Sequence, residues 1–286
     1  MLHWIFEPGF FSSEPVHVAL GLGAAAALLS AVVGVFTVIR GQSFAGHALT
    51  DVAAVGGSGA VLAGLEPVVG FVGFGLFAAG VMDAIGVRRV RGRDLATGVV
   101  LGASTGLTAL VLYFDTTSRS TTGATGQVLF GSIFTVNTSI VPLVVVLSVA
   151  GLGVLGVLYR PLLLGALSTD IARARGVPER AVGVAFLGTL SVAVGLSALV
   201  VGAVLSTALL VGPAAAALRM TRTMRSALVT ASAIGIGCSA VGVLLAYDSY
   251  DWGSSHHGYP VSFFVVALVF VAYLLSGWSR RRPSRS

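Results

Sequence analysis

The chain has 286 residues, of which 56% are apolar and 10% are charged, and its formal net charge is +6. A soluble globular domain carries about 25% charged residues, so this composition cannot cover a water-facing surface. Apolar runs of about 20 residues, the length that an α-helix needs to cross a bilayer, recur along the whole chain, whereas transmembrane β-barrels have short alternating segments. The composition therefore predicts an all-α, polytopic helical membrane protein.

Nine candidate membrane spans follow one another along the chain. They cover residues 16–39, 44–64, 68–87, 95–114, 140–159, 181–199, 201–218, 227–246 and 261–278. If two of these runs belong to one broken helix, the number falls to eight. The sequence thus predicts a single membrane domain of eight or nine helices over residues 1–286, with an external segment at 1–15 and a basic tail at 279–286.

The basic residues show which side of the membrane each loop occupies. All 17 of them are arginine, and nearly all lie in loops on one side of the predicted spans. Excess arginine marks cytoplasmic loops, so we expect the N-terminus outside and the C-terminus in the cytoplasm of a bacterial plasma membrane. Arg119 is the exception. Because the arginines do not form one patch, their charge is no sign of nucleic-acid binding. The loop arginines are Arg40, Arg88, Arg89, Arg91, Arg93, Arg160, Arg173, Arg175, Arg180, Arg219, Arg222, Arg225 and Arg280–Arg282.

One predicted cytoplasmic loop, residues 165–180, is polar and compatible with a short helix. Ser168 or Thr169 can cap its start, Asp170 suits its first turn, and Gly176 can end it. The segment is either a solvated connector or a docking helix that lies along the membrane surface and fits a groove in a partner protein.

The predicted external loop at residues 247–260 is rich in groups that bind metal ions. It contains Asp248, Asp251, His256 and His257 within fourteen positions. These side chains could gather a metal ion at the outer mouth of a pathway, or they could belong to an ordinary solvated loop.

The sequence contains no G-x-x-x-x-G-K-[ST] phosphate-binding loop and no G-x-S-x-G or H-E-x-x-H motif. The chain is therefore not expected to bind ATP through such a loop or to be an enzyme.

Three pieces of sequence resemble the permeases of zinc and manganese ABC importers. Residues 201–217 (VGAVLSTALLVGPAAAA), followed by Arg219, are similar to the family's V-G-x-L-L-x-x-A-L-L-x-x-P-A-A-x-A stretch. Residues 129–131 match its short L-F-G element, and residues 168–176 are similar to its coupling segment, with a shorter aspartate-to-alanine spacing. The likeness extends over roughly residues 30–275.

This resemblance implies a fold similar to that of the vitamin B12-type importer permeases and a role as a transport subunit. Two copies would form the pathway, an extracytoplasmic metal-binding protein would deliver the ion, and a separate ATP-binding subunit would hydrolyse ATP. The coupling residues would be Asp170, Ala172, Arg173 and Gly176. The cargo would be zinc or manganese, or else iron, with no permanently bound cofactor.

Two departures from the family pattern concern the identity of the ion. The second span of the family carries Asp-x-x-x-His, whereas this chain has His47 and Asp51 in the reverse order. Before the last span the family shows P-x-G, whereas this chain has Pro-Val-Ser at residues 260–262.

His47 and Asp51 are the strongest candidates for an ion site. Residues four apart lie on one face of a helix, and ionisable residues inside a membrane span are rare and mark function. The two side chains either bond to each other, which lowers the cost of burial, or bind a transported cation. Imidazole nitrogen with carboxylate oxygen suits zinc, manganese or ferrous iron rather than cuprous copper, which prefers sulfur.

Two other classes of transporter remain open from the residues alone. A secondary transporter or channel without an ATPase could relay ions through His47, Asp51 and Asp83. An ABC permease for a metal chelate would need a wide pathway without inward-facing ligands. Co-purification of an ATPase discriminates the first of these from an ABC importer.

Overall fold

The structure, a computed structural model, describes residue 10 and residues 13–85, 93–118, 123–131, 133–252 and 258–279. These ranges contain α-helices, short 3-10 turns and connecting loops, and within them there is no β-strand. The α-helices are α1 (Glu14–Ile39), α2 (Ser43–Ala63), α3 (Pro67–Ile85), α4 (Arg93–Ser118), α5 (Ala124–Phe130), α6 (Val141–Leu167), α7 (Thr169–Ala174), α8 (Glu179–Val201), α9 (Ser206–Met220), α10 (Met224–Asp248) and α11 (Val261–Ser279).

The long helices coincide with the predicted spans, which confirms the all-α polytopic fold. Six of them in the described part of the chain are long and apolar enough to cross a membrane, namely α1, α4, α6, α8, α10 and α11. The apolar helices α3 and α9 are shorter. Helix α2 is long but less apolar, because it carries His47 and Asp51 together with several glycine and serine residues.

Helices α1 and α8 are the most buried of the six, and α4 is the least buried. Small residues let the helices approach closely, as they do in other membrane proteins. A Cβ atom added to Gly34 of α1 would lie 1.9 Å from the carbonyl oxygen of Leu210 in α9. A Cβ atom on Gly70 of α3 would lie 2.0 Å from the carbonyl oxygen of Gly56 in α2. These contacts hold α9 against α1 and α3 against α2.

The junction between α8 and α9 is held by the end of α5. The backbone N–H groups of Ala203 and Val204 donate to carbonyls in the last turn of α5 at 3.0 and 3.3 Å. Gly131 and Gly202 both have positive φ, at 77° and 83°, and a Cβ atom on Gly202 would lie 2.2 Å from the carbonyl oxygen of Leu129. The L-F-G element and the start of the 201–217 stretch are therefore in direct contact, and the contact fixes where α9 begins.

The opposite end of α9 is held by α11. The guanidinium of Arg219 lies over the ring of Tyr273, 4.0 Å from its centroid, which is the geometry of a cation–π interaction. Helix α9 is thus attached near both ends, at the α8–α9 junction and at α11, and it contains Pro213 between these two contacts.

Candidate ion site and coupling segment

The candidate ion site is on α2, where His47 and Asp51 are both half-buried within the single chain. The Nδ1 atom of His47 lies 2.9 Å from the hydroxyl oxygen of Thr207, the second residue of α9. The Asp51 carboxylate lies near His47 and near the hydroxyl of Thr105 on α4. Helices α2, α4 and α9 therefore meet around this pair.

The hydrogen bond to Thr207 bears on the two alternatives for His47. The hydrogen bond of the imidazole in this structure is to Thr207 rather than to Asp51. With Nδ1 engaged, Nε2 is the ring nitrogen that can bind a metal ion. Metal-binding histidines usually donate their other ring N–H to a neighbouring oxygen, which fixes the tautomer and the orientation of the ring. The observed contact has this arrangement.

Hydroxyl groups connect the start of α9 to the middle of α2. Ser206 is buried, and its hydroxyl lies 3.4 Å from that of Thr50. The hydroxyl of Thr50 donates to the carbonyl of Gly46 in the preceding turn of α2. Sequence reasoning missed Thr207 and Thr105 as neighbours of the pair, although Thr207 lies inside the stretch that carries the family resemblance.

The predicted helix in residues 165–180 is present as α7. The Ser168 hydroxyl oxygen accepts from the N–H of Ile171 at 3.4 Å, which identifies Ser168 as the N-cap. At the other end Gly176, with φ of 71°, donates to Arg173, and the next N–H donates to Ala172. This pair of bonds with a left-handed glycine is a Schellman C-cap.

The side chains of α7 divide into an exposed and a buried set. Asp170 and Arg173 are exposed, and Arg173 lies 3.1 Å from Glu179 of α8. Ile171 is 53% exposed although it is apolar. Ala172 was predicted to touch a partner, but it is fully buried and lines a cavity of about 280 Å³ beside Arg40. A helix of this length turns one face inward, and Ala172 is on that face.

The predicted external metal site is only partly within the described residues. Asp248 is buried at the end of α10. Asp251 ends a 3-10 turn, and its side chain is not among those described. His256 and His257 lie outside the described residues. Among the residues described there is no group of three or more histidine, cysteine, aspartate or glutamate side chains that could hold a metal ion, so this external site stays a prediction.

Asp83, the third candidate for an ion relay, lies on α3 and is 11% exposed. One of its oxygen atoms is 3.7 Å from the guanidinium of Arg180 at the start of α8. The arginines that follow it in the sequence, Arg88 and Arg89, lie outside the described residues. The contact with Arg180 joins α3 to α8 and gives Asp83 a structural role.

A bundle of long apolar helices, with an ionisable pair inside it and a capped surface helix beside it, defines a polytopic membrane permease. The profile of the ABC 3 transport family matches residues 13–277, and the chain belongs to this family. The resemblance to the permeases of divalent-metal ABC importers is thereby confirmed.

Several relatives are similar over most of their length. The manganese transport system membrane protein MntC of Listeria monocytogenes is 25% identical over 85% of this chain and 85% of its own. The manganese import system permease protein ScaB of Streptococcus gordonii is 24% identical over 77% of this chain and 78% of its own. A probable iron transport system membrane protein of Haemophilus influenzae is 26% identical over 94% of this chain and 98% of its own.

Two solved structures share the fold. PsaBC from Streptococcus pneumoniae, solved in complex with Fab, superposes with a TM-score of 0.77 at 22% identity, over 96% of this chain and 95% of the other. An inward-facing ABC transporter described as metal-chelate type superposes with a TM-score of 0.73 at 16% identity, over 94% of this chain and 87% of the other.

Proposed function

We propose that this chain is the permease of an ATP-driven manganese importer and that His47 and Asp51 are its transport site. The observation that carries the proposal is the His47–Thr207 hydrogen bond, which engages Nδ1 and leaves Nε2 available for an ion, one helical turn from Asp51. Imidazole and carboxylate together suit manganese, iron and zinc. Manganese is the cargo named for two of the relatives, MntC and ScaB.

The site is completed by a second copy of the chain. One chain offers two ligands, His47 and Asp51, and both side chains are only half-buried on α2. Without a second copy, this face of α2 would lie against lipid or an empty pathway. An ionisable side chain does not face lipid at low cost. Homo-oligomers are most often two-fold symmetric, so the same face of α2 in each copy meets at the axis. The two copies together supply two imidazoles and two carboxylates, and water completes the coordination shell of manganese.

The energy comes from a separate ATP-binding subunit, which docks on the exposed face of α7. An exposed apolar residue in a short capped helix, Ile171 beside Asp170, supports this docking. With the arginine-rich loops in the cytoplasm, α7 lies on the cytoplasmic side, where it faces the ATPase. The connection between α3 and α4 lies on this side as well, and the end of α10 lies on the external side of the plasma membrane. An extracytoplasmic metal-binding protein delivers the ion to the outer side, and the permease itself holds no resident cofactor.

The test is manganese uptake and manganese-dependent ATPase activity of the permease reconstituted with its ATPase and binding protein. His47→Ala and Asp51→Asn each remove one ligand from each copy, so we expect uptake to be lost in both variants while assembly with the ATPase is retained. The double variant with aspartate at 47 and histidine at 51 restores the order usual in the family and is expected to keep part of the uptake. Normal uptake in both single variants would refute the site.

A further inference from the structure

Helix α4 packs against α2, and the buried positions on its inner face are mostly polar. Ser104 and Thr108 are each 5% exposed, and Asp115 is fully buried. These residues recur at spacings of four and seven and therefore lie on one side of the helix. Large side chains on its other side are exposed, such as Tyr113 at 61%. Serine and threonine are common where membrane helices pack, but an ionisable residue such as Asp115 within a membrane helix is a candidate functional residue.

Two oxygen-bearing side chains on this inner face have no hydrogen-bond partner among the residues that the structure describes. Both carboxylate oxygens of Asp115 are buried and unpartnered, and so is the hydroxyl oxygen of Thr108. Other hydroxyl groups of α4 behave differently, because they donate to carbonyls of the preceding turn. These are Ser104, Thr105, Thr116 and Thr117. Thr108 and Asp115 thus have buried oxygen atoms that are available as ligands in the interior of the chain.

An ionised carboxylate that is buried without a partner is destabilised by several kcal/mol, and the described part of the chain gives Asp115 none, which favours a bound cation or a proton at this carboxyl. Its place on α4 favours the cation. Thr105, ten residues earlier on the same helix, approaches Asp51, which sets Asp115 about 15 Å further along the helix axis. Asp115 is near the end of α4 that lies opposite the arginine-rich loops, on the side from which an imported ion arrives.

We propose that Asp115 is the carboxylate of a second, outer cation site, which a hydrated divalent cation occupies before it reaches His47 and Asp51. The Thr108 hydroxyl is an oxygen ligand between the two sites. A site made of oxygen atoms suits a hard, hydrated ion such as manganese better than zinc. A single carboxylate binds the ion weakly enough to release it inward, as conduction requires. This inference rests on the proposed transport of divalent cations.

The experiment detects manganese next to Asp115 directly. The full-length permease in nanodiscs carries Cys238→Ser and a nitroxide attached through Thr117→Cys, an exposed position two residues from Asp115. Asp51→Asn empties the inner site. Adding Mn²⁺ is expected to broaden the nitroxide signal in this background, because a paramagnetic ion relaxes a nearby spin. Adding Asp115→Asn is expected to abolish the broadening. The matched control is Asp83→Asn, which removes a carboxylate that is paired elsewhere and should leave the broadening unchanged.

Unchanged broadening in Asp115→Asn, or no broadening in the Asp51→Asn background, would overturn the outer site. Infrared spectroscopy tests the proton as the alternative: a carboxylic acid band that persists at saturating Mn²⁺ and disappears in Asp115→Asn would also overturn it. Folding is checked by thermal unfolding without metal, where Asp115→Asn should be at least as stable as the parent because it removes a partnerless carboxylate. If only the proposal for His47 and Asp51 is wrong, uptake will be normal in His47→Ala and the broadening that depends on Asp115 will remain.

Discussion

The Nδ1 atom of His47 lies 2.9 Å from the hydroxyl oxygen of Thr207, a contact between residues 160 positions apart in the sequence. When Nε2 binds an ion, Nδ1 carries the proton and donates it to this oxygen. The orientation of the imidazole therefore depends on where α9 begins. That position is fixed in turn by the hydrogen bonds of Ala203 and Val204 to the end of α5.

The hydroxyl of Thr207 is expected to set the affinity of the site for manganese. Thr207→Val keeps the shape of the side chain but removes the acceptor, and the loss of such a partner lowers metal affinity by about 10–100-fold. Thr207→Ser keeps the hydroxyl and should stay near the parent. The measurement is the manganese concentration at half-maximal uptake. Equal values for the valine and serine variants would show that the hydroxyl does not orient His47.

The exposed face of α7 is expected to transmit ATP hydrolysis to transport. Ile171→Gln replaces an exposed apolar contact and should lower manganese uptake and the co-purification of the ATPase while the protein remains in the membrane. Met220→Gln is the matched control, because Met220 is 49% exposed and Ile171 is 53% exposed. An Ile171→Gln complex that assembles and transports normally would contradict docking at this face.

Gly202 is expected to tolerate no side chain. Its φ of 83° strains any other residue, and the carbonyl oxygen of Leu129 would lie 2.2 Å from an added Cβ atom. Gly202→Ala should therefore destabilise the protein by about 1–3 kcal/mol. Gly21→Ala is the control, since nothing lies within 4 Å of an added Cβ atom there. Thermal unfolding in detergent compares the two variants, and equal midpoints would show that the junction relaxes without cost.

The uneven distribution of arginine is expected to give the correct orientation, with the N-terminus outside and the C-terminus in the cytoplasm. In a Cys238→Ser background, a cysteine introduced as Tyr250→Cys should react with an impermeant thiol reagent in intact cells. Met220→Cys, at the end of α9 beside the arginine-rich loops, should react only after the cells are opened. Both parent residues are exposed in the single chain, so the difference reports on the membrane. The reverse pattern would invert the topology and remove the argument for docking at α7.

The sequence predicts the helices well because the length of each apolar run indicates the length of the helix that it forms. The first span, expected at 16–39, is Glu14–Ile39 in the structure. The seventh, expected at 201–218, begins later, at Ser206, because Ala203 and Val204 donate to carbonyls of α5 instead of continuing a helix. Such a tertiary contact leaves no signal in local hydropathy.

The candidate site shows the same division between local and distant information. Helical spacing alone places His47 and Asp51 on one face of α2. It does not reveal Thr207, which reaches His47 only through the packing of α9. It also does not reveal that Ala172 points inward, because the burial of one residue in a six-residue helix depends on the helices beneath it.

The attachment of α9 at both ends has a mechanical consequence. From Thr207 to Arg219 the helix is about 18 Å long, with the imidazole at one end and the ring of Tyr273 at the other. A tilt of about 10° about one end moves the other by about 3 Å, which is enough to break a hydrogen bond. Helix α9 therefore links α11 to His47, and a tilt of α9 about its Arg219 end would release the ring of His47 from its bound orientation.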